Sequence, residues 1–95
     1  NRERRGMQIS HEELAGVDPP LRELLRCQES AVCSMLVKAG RQGWYRWRAV
    51  TDRGGKPVFD LVADENPSRR LARLTPSDLA LSSTELARVV WERLN

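Results

Sequence analysis

From Leu21 to Ala39 the apolar residues are Leu21, Leu24, Leu25, Val32, Met35, Leu36 and Ala39. That three-and-four spacing lines one side of an α-helix. Ala31, Cys33 and Val37 widen the stripe, so the C-terminal half is expected to be nearly encircled by protein. Asp18-Pro19-Pro20 marks the start. Asp18 is a capping residue type, and Pro19 in the first turn gives up an N–H that has no helical partner anyway. Gly40 stops the helix, which predicts a long helix over 20–39 with Arg41-Gln42-Gly43 as its connection.

The period then changes from three-and-a-half to two. Trp44 to Thr51 and Val58 to Ala63 are rich in aromatic and β-branched residues, and Asp52-Arg53-Gly54-Gly55 between them is a turn signal. Two registers compete. A two-residue turn at Arg53-Gly54 sets Trp47 opposite Asp60 and mixes polar with apolar on both faces. A three-residue loop, with Gly55 left-handed, sets Trp47 opposite Leu61, Ala49 opposite Phe59, Arg48 opposite Asp60 and Val50 opposite Val58. Only the second gives one apolar face: Tyr45, Trp47, Ala49, Phe59, Leu61 and Ala63. Because a sheet's register follows burial of one face, the second is predicted. Arg46, Arg48 and Asp60 then line the other face, with Arg48 expected to pair with Asp60.

Around these two units the punctuation predicts four more features. Ser10 with Glu13 has capping-box spacing, which predicts a short helix from His11 to about Ala15 ended by Gly16. Asn66-Pro67 predicts a helix start, with a short helix to Leu74. Thr75-Pro76 starts another turn of helix to about Leu81. Ser82 with Glu85 repeats the capping box before a final helix over 83–94, whose apolar side is Leu86, Val89, Val90 and Leu94. The expected fold is α+β, in the order α-α-β-β-α-α. An antiparallel hairpin (about 44–51 and 58–63) packs on the long helix and the C-terminal helix, since a hairpin is not stable alone. Residues 1–9 are expected to form a basic arm or linker, and 10–95 a single domain.

Composition narrows the function classes. With 40% hydrophobic and 31% charged residues the chain suits a globular domain rather than a disordered one. No apolar run approaches the ~20 residues that span a bilayer. The first residues carry no apolar stretch of the secretory type, so no membrane role and a cytoplasmic location are expected. Cys27 and Cys33 are six positions apart on one helix. They diverge by about 240° and cannot bridge to each other. With His11 the only histidine, zinc, iron–sulfur and haem sites fail on ligand number. Neither a metal nor a cofactor is expected.

Charge is more informative in its distribution than in its total of +3. Between Lys38 and Lys56, six basic residues face one acid, while the remaining chain carries ten basic and twelve acidic residues. The positive field is concentrated on the hairpin and its approach. Gly54-Gly55-Lys56 is not a phosphate loop, because Pro57 and a strand follow where that motif needs Ser or Thr and a helix. Ser30, Ser34 and Ser68 lack a nucleophile frame, and His11 lacks an orienting group, so no catalytic residue is assigned and an enzyme is not expected. The aromatic-basic run Trp44-Tyr45-Arg46-Trp47-Arg48 is the strongest remaining signal. Tyr45 and Trp47 are expected in the core. Arg41, Arg46, Arg48, Arg53 and Lys56 are the expected nucleic-acid contacts, supplemented by Trp44, Arg69, Arg70 and Arg73, with the arm residues Arg2, Arg4 and Arg5 as a further basic cluster. A helix followed by a basic hairpin is similar, in element order alone, to the last helix and wing of a winged-helix module. The expected role is a non-enzymatic binding module for DNA or RNA. The alternative is a protein-interaction domain of a larger chain, using the hairpin edge, a Val50–Val58–Val62 ridge or the Trp91 flank of the last helix.

Overall fold

A computed structural model describes residues 9–41 and 43–94. The elements run β1 (Ile9–Glu13), α1 (Pro19–Lys38), β2 (Tyr45–Thr51), β3 (Pro57–Ala63), β4 (Asn66–Leu74), α2 (Pro76–Leu79) and α3 (Ser83–Leu94). The strands form one sheet in the order β1-β2-β3-β4, with β1 parallel to β2 and the other pairs antiparallel. The α+β class stands as expected, with helices packed on one face of a sheet. The element order does not: two segments expected as helices are strands. The basic arm with Arg2, Arg4 and Arg5 lies outside the described residues.

The parts read from local signals are where the pattern puts them. In α1, Leu25, Gln28, Val32 and Leu36 are buried. Asp18 starts the helix through its carbonyl, which accepts from Leu21 and Arg22 at 3.0 and 3.1 Å, rather than through its side chain. At the other end Gly40 takes φ +71°. The Gly40 N–H donates to Val37 O and the Arg41 N–H to Leu36 O, at 3.0 and 2.8 Å. These two bonds close a Schellman motif, which needs the left-handed residue that glycine supplies. In the hairpin Trp47 faces Leu61, Arg48 faces Asp60, Ala49 faces Phe59 and Val50 faces Val58. Gly55 sits at φ +80°. The Asp52 carboxylate gathers the loop by accepting from the N–H groups of Gly54 and Lys56, both at 2.9 Å.

The first correction is at Ile9–Glu13, a strand and not a helix. A helix closed by Gly16 has too few residues to repay its nucleation. The same residues, laid along β2, gain ladder bonds, while Ile9 (3% exposed) and the following Leu14 (0%) enter the core. His11 and the backbone of Ile9 are tied to Glu29 of α1, at 2.5 Å from His11 Nε2 and 3.4 Å from Ile9 N. β1 and β2 are parallel, so the chain crosses over through α1, as a parallel connection requires.

The second correction is at 66–74, where β4 replaces the expected short helix. β3 is the reason. Val58 through Val62 are all buried, and with β2 on one side only, β3 would present an unpaired row of backbone groups on the other. β4 supplies that partner and sets Leu74 against Phe59, Arg73 against Asp60 and Ala72 against Leu61. The register then shifts between Leu61 and Val62 and again between Val62 and Ala63. Tertiary pairing overrides the helical preference of Leu71-Ala72-Arg73-Leu74. It also removes the winged-helix analogy, because the hairpin is the middle of a four-stranded sheet and not a free wing.

One cluster makes the core: Ile9 and Leu14, Leu25, Val32 and Leu36 of α1, Tyr45, Trp47, Phe59, Leu61 and Leu74 of the sheet, Leu79, and Leu86, Val90 and Leu94 of α3. The α2–α3 corner is pinned from α1. Gln28 is 7% exposed, and its amide N–H groups donate to Leu79 O and Leu81 O at 3.0 and 2.6 Å. Its amide oxygen accepts from Ser83 Oγ at 3.0 Å. Thr75 and Asp78 form a reciprocal capping box at the start of α2. At the start of α3 the Ser82 hydroxyl accepts from the Glu85 N–H and donates to the Glu85 carboxylate, both at 3.2 Å.

Candidate functional site

The face of the sheet turned away from the helices carries a row of alternating charges. Glu13, Arg48, Asp60 and Arg73 are successive partners across β1, β2, β3 and β4. Arg48 Nε donates to Glu13 at 3.2 Å. Arg73 grips Asp60 with two bonds, at 2.6 and 3.0 Å. Arg46 bridges Glu13 at 3.1 Å and Asp64 at 2.9 Å. The ionic partner of Asp60 is thus Arg73 on β4, while Arg48 stands opposite it in the ladder. The hydrogen bonds from Arg46, then Arg48, hold the Glu13 carboxyl below the usual carboxylate value. Asp64 and Glu13 raise Arg46, and Asp60 raises Arg73.

Three arginines therefore meet three carboxylates, and this face is close to neutral. The exposed pairs to Glu13 and Asp64 are worth roughly 0–1 kcal/mol each, whereas the carboxylate of the two-bond Arg73–Asp60 pair is buried. The expected Val50–Val58–Val62 ridge is not exposed, because Val58 and Val62 are each only 2% accessible. Both lie on the central strand, with Arg46 and Arg70 flanking Val62 in register. Aliphatic arginine stems cover apolar surface of this kind while their heads stay wet.

These pairs give a pH signature. Burial pushes the Asp78 carboxyl up, but the hydrogen bonds from Arg93 and the Thr75 N–H outweigh it and leave Asp78, like Glu13, below its ordinary value. A carboxyl lowered on folding stabilises the fold above its unfolded pKa, and that contribution disappears as pH falls through the folded value. The melting temperature is expected to be flat from pH 7 to about 5 and to fall below about pH 4. Asp78→Asn should lower it at pH 7 and flatten the acid limb, as thermal melts followed by circular dichroism would show. An unchanged acid limb in Asp78→Asn would contradict this assignment.

The remaining cations lie at the two ends of the sheet. Arg53 and Lys56 are exposed in the β2–β3 turn. Seven-residue strands place that turn roughly 20 Å from the opposite end. There, Arg41, Arg69, Arg70 and Arg93 line a depression of about 510 Å³, closed by Tyr45, Ala63, Leu71 and Leu94 and containing one acid, Glu65. Each position has a structural cause. Arg41 is placed by the Schellman turn, and its guanidinium donates to Leu94 O at 3.3 Å, capping the end of α3. The Tyr45 hydroxyl donates to the Arg41 carbonyl and fixes that turn from below, and burial pushes the Tyr45 phenol up. Arg69 and Arg70 arrive on β4, where its register shifts. Arg93, in the last turn of α3, is held by Asp78 at 2.6 Å and by Arg73 O at 2.7 Å. Arg69 and Arg70 have no acid partner among the described residues.

A second depression, of about 430 Å³, adjoins the first and shares Tyr45, Ala63 and Glu65 with it; Gly43, Trp44 and Asp64 complete its wall. Trp44 is 62% exposed, in contrast to Tyr45 (6%) and Trp47 (0%). Its carbonyl accepts from the Asp64 N–H at 2.9 Å, so its backbone continues the β2–β3 ladder.

The sequence-predicted contacts thus separate into three places. Arg46, Arg48 and Arg73 sit in the neutral lattice, Arg53 and Lys56 at the turn, and Arg41, Arg69 and Arg70 in the groove beside Trp44. Arg93 and Glu65 complete the groove and escaped the sequence reading. A basic residue in the last turn of a helix is the only local sign of Arg93, and it indicates a helix end rather than a site. Among the described residues no group of three His, Cys, Asp or Glu side chains is placed to hold a metal ion, and no helix is long and apolar enough to cross a membrane. No family model, curated protein or solved structure matches the chain.

Proposed function

We propose that this domain is a non-enzymatic binding module for nucleic acid, and that it takes the phosphate backbone in the groove at the α1 and α3 C-terminal ends. The observation that carries this reading is the groove lining of four arginines against one carboxylate. Of these, Arg69 and Arg70 have no acid partner among the described residues, whereas Arg93 is held by Asp78 and the sheet-face arginines by Glu13, Asp60 and Asp64. A phosphate diester offers the planar pair of oxygens that an arginine fork fits. Arg53 and Lys56 at the far turn supply a second, weaker anchor for a polyanion long enough to reach both ends.

Binding of labelled oligonucleotides, measured by fluorescence anisotropy over a salt series, tests the reading. Affinity should fall steeply as salt rises. Arg69→Ala/Arg70→Ala should weaken binding to every sequence alike and lower the salt slope by about 2. Absence of binding at low salt, or tight binding that salt leaves unchanged, would remove it.

A protein-interaction role is the second reading, and one observation favours it. Val37 on α1 and Trp91 on α3 are 46% and 37% exposed, with Lys38 Nζ 5.9 Å from the Trp91 ring centroid. Binding that depends on Trp91 and is insensitive to Arg69 and Arg70 would favour this reading over the first.

A further inference from the structure

We infer that the nucleic acid taken by this groove is single-stranded, with one base stacked on the Trp44 indole and its phosphate held by Arg41, Arg69 and Arg70. The inference rests on the nucleic-acid reading above and sharpens it. Its basis is the juxtaposition of two adjoining depressions of different chemistry. One is lined by arginines; the other has an exposed tryptophan on its wall, and the two share Tyr45, Ala63 and Glu65.

A nucleotide has this same division, a flat π-surface at one end and a dianionic or diester phosphate at the other. The depressions, at about 510 and 430 Å³, are each of a size that holds a small-ligand group. Trp44 is suited to the stacking role by its exposure, 62%, and by a backbone bonded to Asp64 that fixes where its Cα sits beside the groove. Asp64 itself is engaged by Arg46 at 2.9 Å, which removes one negative charge from the base-binding side. Glu65 stands on the shared wall. It is the one acid of the arginine depression, so the direction of the nucleotide across the groove comes from the arginines at one end and the indole at the other.

A duplex cannot use this arrangement without disruption. Its bases are stacked on one another, and only their edges reach a groove, so a single indole beside a phosphate site has no π-face to meet. In a single strand every base has an accessible face, and aromatic–base stacking tolerates any sequence. Single-stranded DNA and single-stranded RNA share this chemistry.

The test is anisotropy titration of the domain with labelled 12-nucleotide single-stranded DNA, single-stranded RNA of the same sequence, and the DNA duplex. It uses wild type, Trp44→Ala and Trp44→Phe, with Arg69→Ala/Arg70→Ala alongside. Because Trp44 is largely exposed, the fold should persist in both Trp44 variants, which circular dichroism checks. At least one single-stranded form should bind about tenfold or more tightly than the duplex. Trp44→Ala should weaken that binding about tenfold with an unchanged salt slope, and Trp44→Phe should restore most of it. If the duplex binds as tightly as single strands, or Trp44→Ala binds single strands like wild type, the stacking inference is overturned. Continued dependence on Arg69 and Arg70 in that case would leave the phosphate groove standing. If wild type binds none of the three, both readings fall together.

Discussion

Trp47→Ala is expected to cost about 3–5 kcal/mol of folding free energy, close to the limit of what the domain tolerates. Trp47 is fully buried, stands opposite Leu61, and lies in the middle of the cluster that joins α1, α3 and the sheet. Removing the indole opens a cavity between layers that are held about 10 Å apart by their other side chains and cannot collapse onto it. A domain of this size has roughly 5–14 kcal/mol in total, so the variant should be marginal at 37 °C. The indole N–H sharpens the comparison, because it is buried with no hydrogen-bond partner among the described residues. That donor already carries a desolvation cost of about 1–3 kcal/mol. Trp47→Phe removes the unpartnered donor together with part of the ring, and the two effects oppose. Its cost should be well below that of the alanine variant, at about 1–2 kcal/mol. Urea unfolding of the three proteins would measure both differences. A loss below 1 kcal/mol in Trp47→Ala would contradict the placement of this residue at the centre of the core.

The second large effect belongs to a polar residue. Gln28→Leu is expected to destabilise by about 3 kcal/mol although it makes the α1 face more apolar. Leucine fills nearly the same space but leaves Leu79 O and Leu81 O without the amide that donates to them, and Ser83 Oγ without its acceptor. Each buried group left unpaired costs about 1–3 kcal/mol, reduced where water reaches it. Ser83→Ala deletes one bond and should cost nearer 1 kcal/mol. Amide exchange should separate the two further. In Gln28→Leu the corner between α2 and α3 should exchange much faster than the sheet, since Gln28 is the side chain of α1 that bonds its carbonyls. Equal destabilisation by both variants, or a stabilised Gln28→Leu, would show that the corner is held by something else.

How far the fold could be read depended on whether the deciding interactions were local. α1, the hairpin register and α3 were legible because caps, glycines and one-sided burial decide them within a few residues. Gly40 and Gly55 sit where the positive φ needed by the Schellman turn and the three-residue loop was expected. β1 and β4 were misread because their local chemistry is helical. Ser10…Glu13 and Asn66-Pro67 are genuine helix-start patterns, and only pairing with the open edges of β2, across the whole of α1, and of β3, which directly precedes β4, makes strands of them. The Gln28 clamp had one faint sign: a glutamine that falls between Leu25 and Val32 in the three-and-four spacing of the buried stripe.

The candidate site follows the same rule. Arg41, Arg69 and Arg70 could be named from composition and runs of charge, but not brought together, since their convergence requires β4 to be a strand that ends beside the α1 turn. The neutral lattice was equally hidden. From the sequence Arg48 was expected to pair with Asp60, and the pairing of Arg46 and Arg48 with Glu13 and of Arg73 with Asp60 needs β1 and β4 to be strands.

Backbone and indole NMR shifts of the labelled domain, followed during titration with a short single-stranded oligonucleotide at low salt, test the central claim most directly. The largest changes should map to Arg41, Trp44, Tyr45 and Arg69–Leu71, with Arg93 following and the residues around Arg48 and Val58 nearly still. Changes centred on the outer sheet face or on the Arg53–Lys56 turn, with the groove silent, would contradict it.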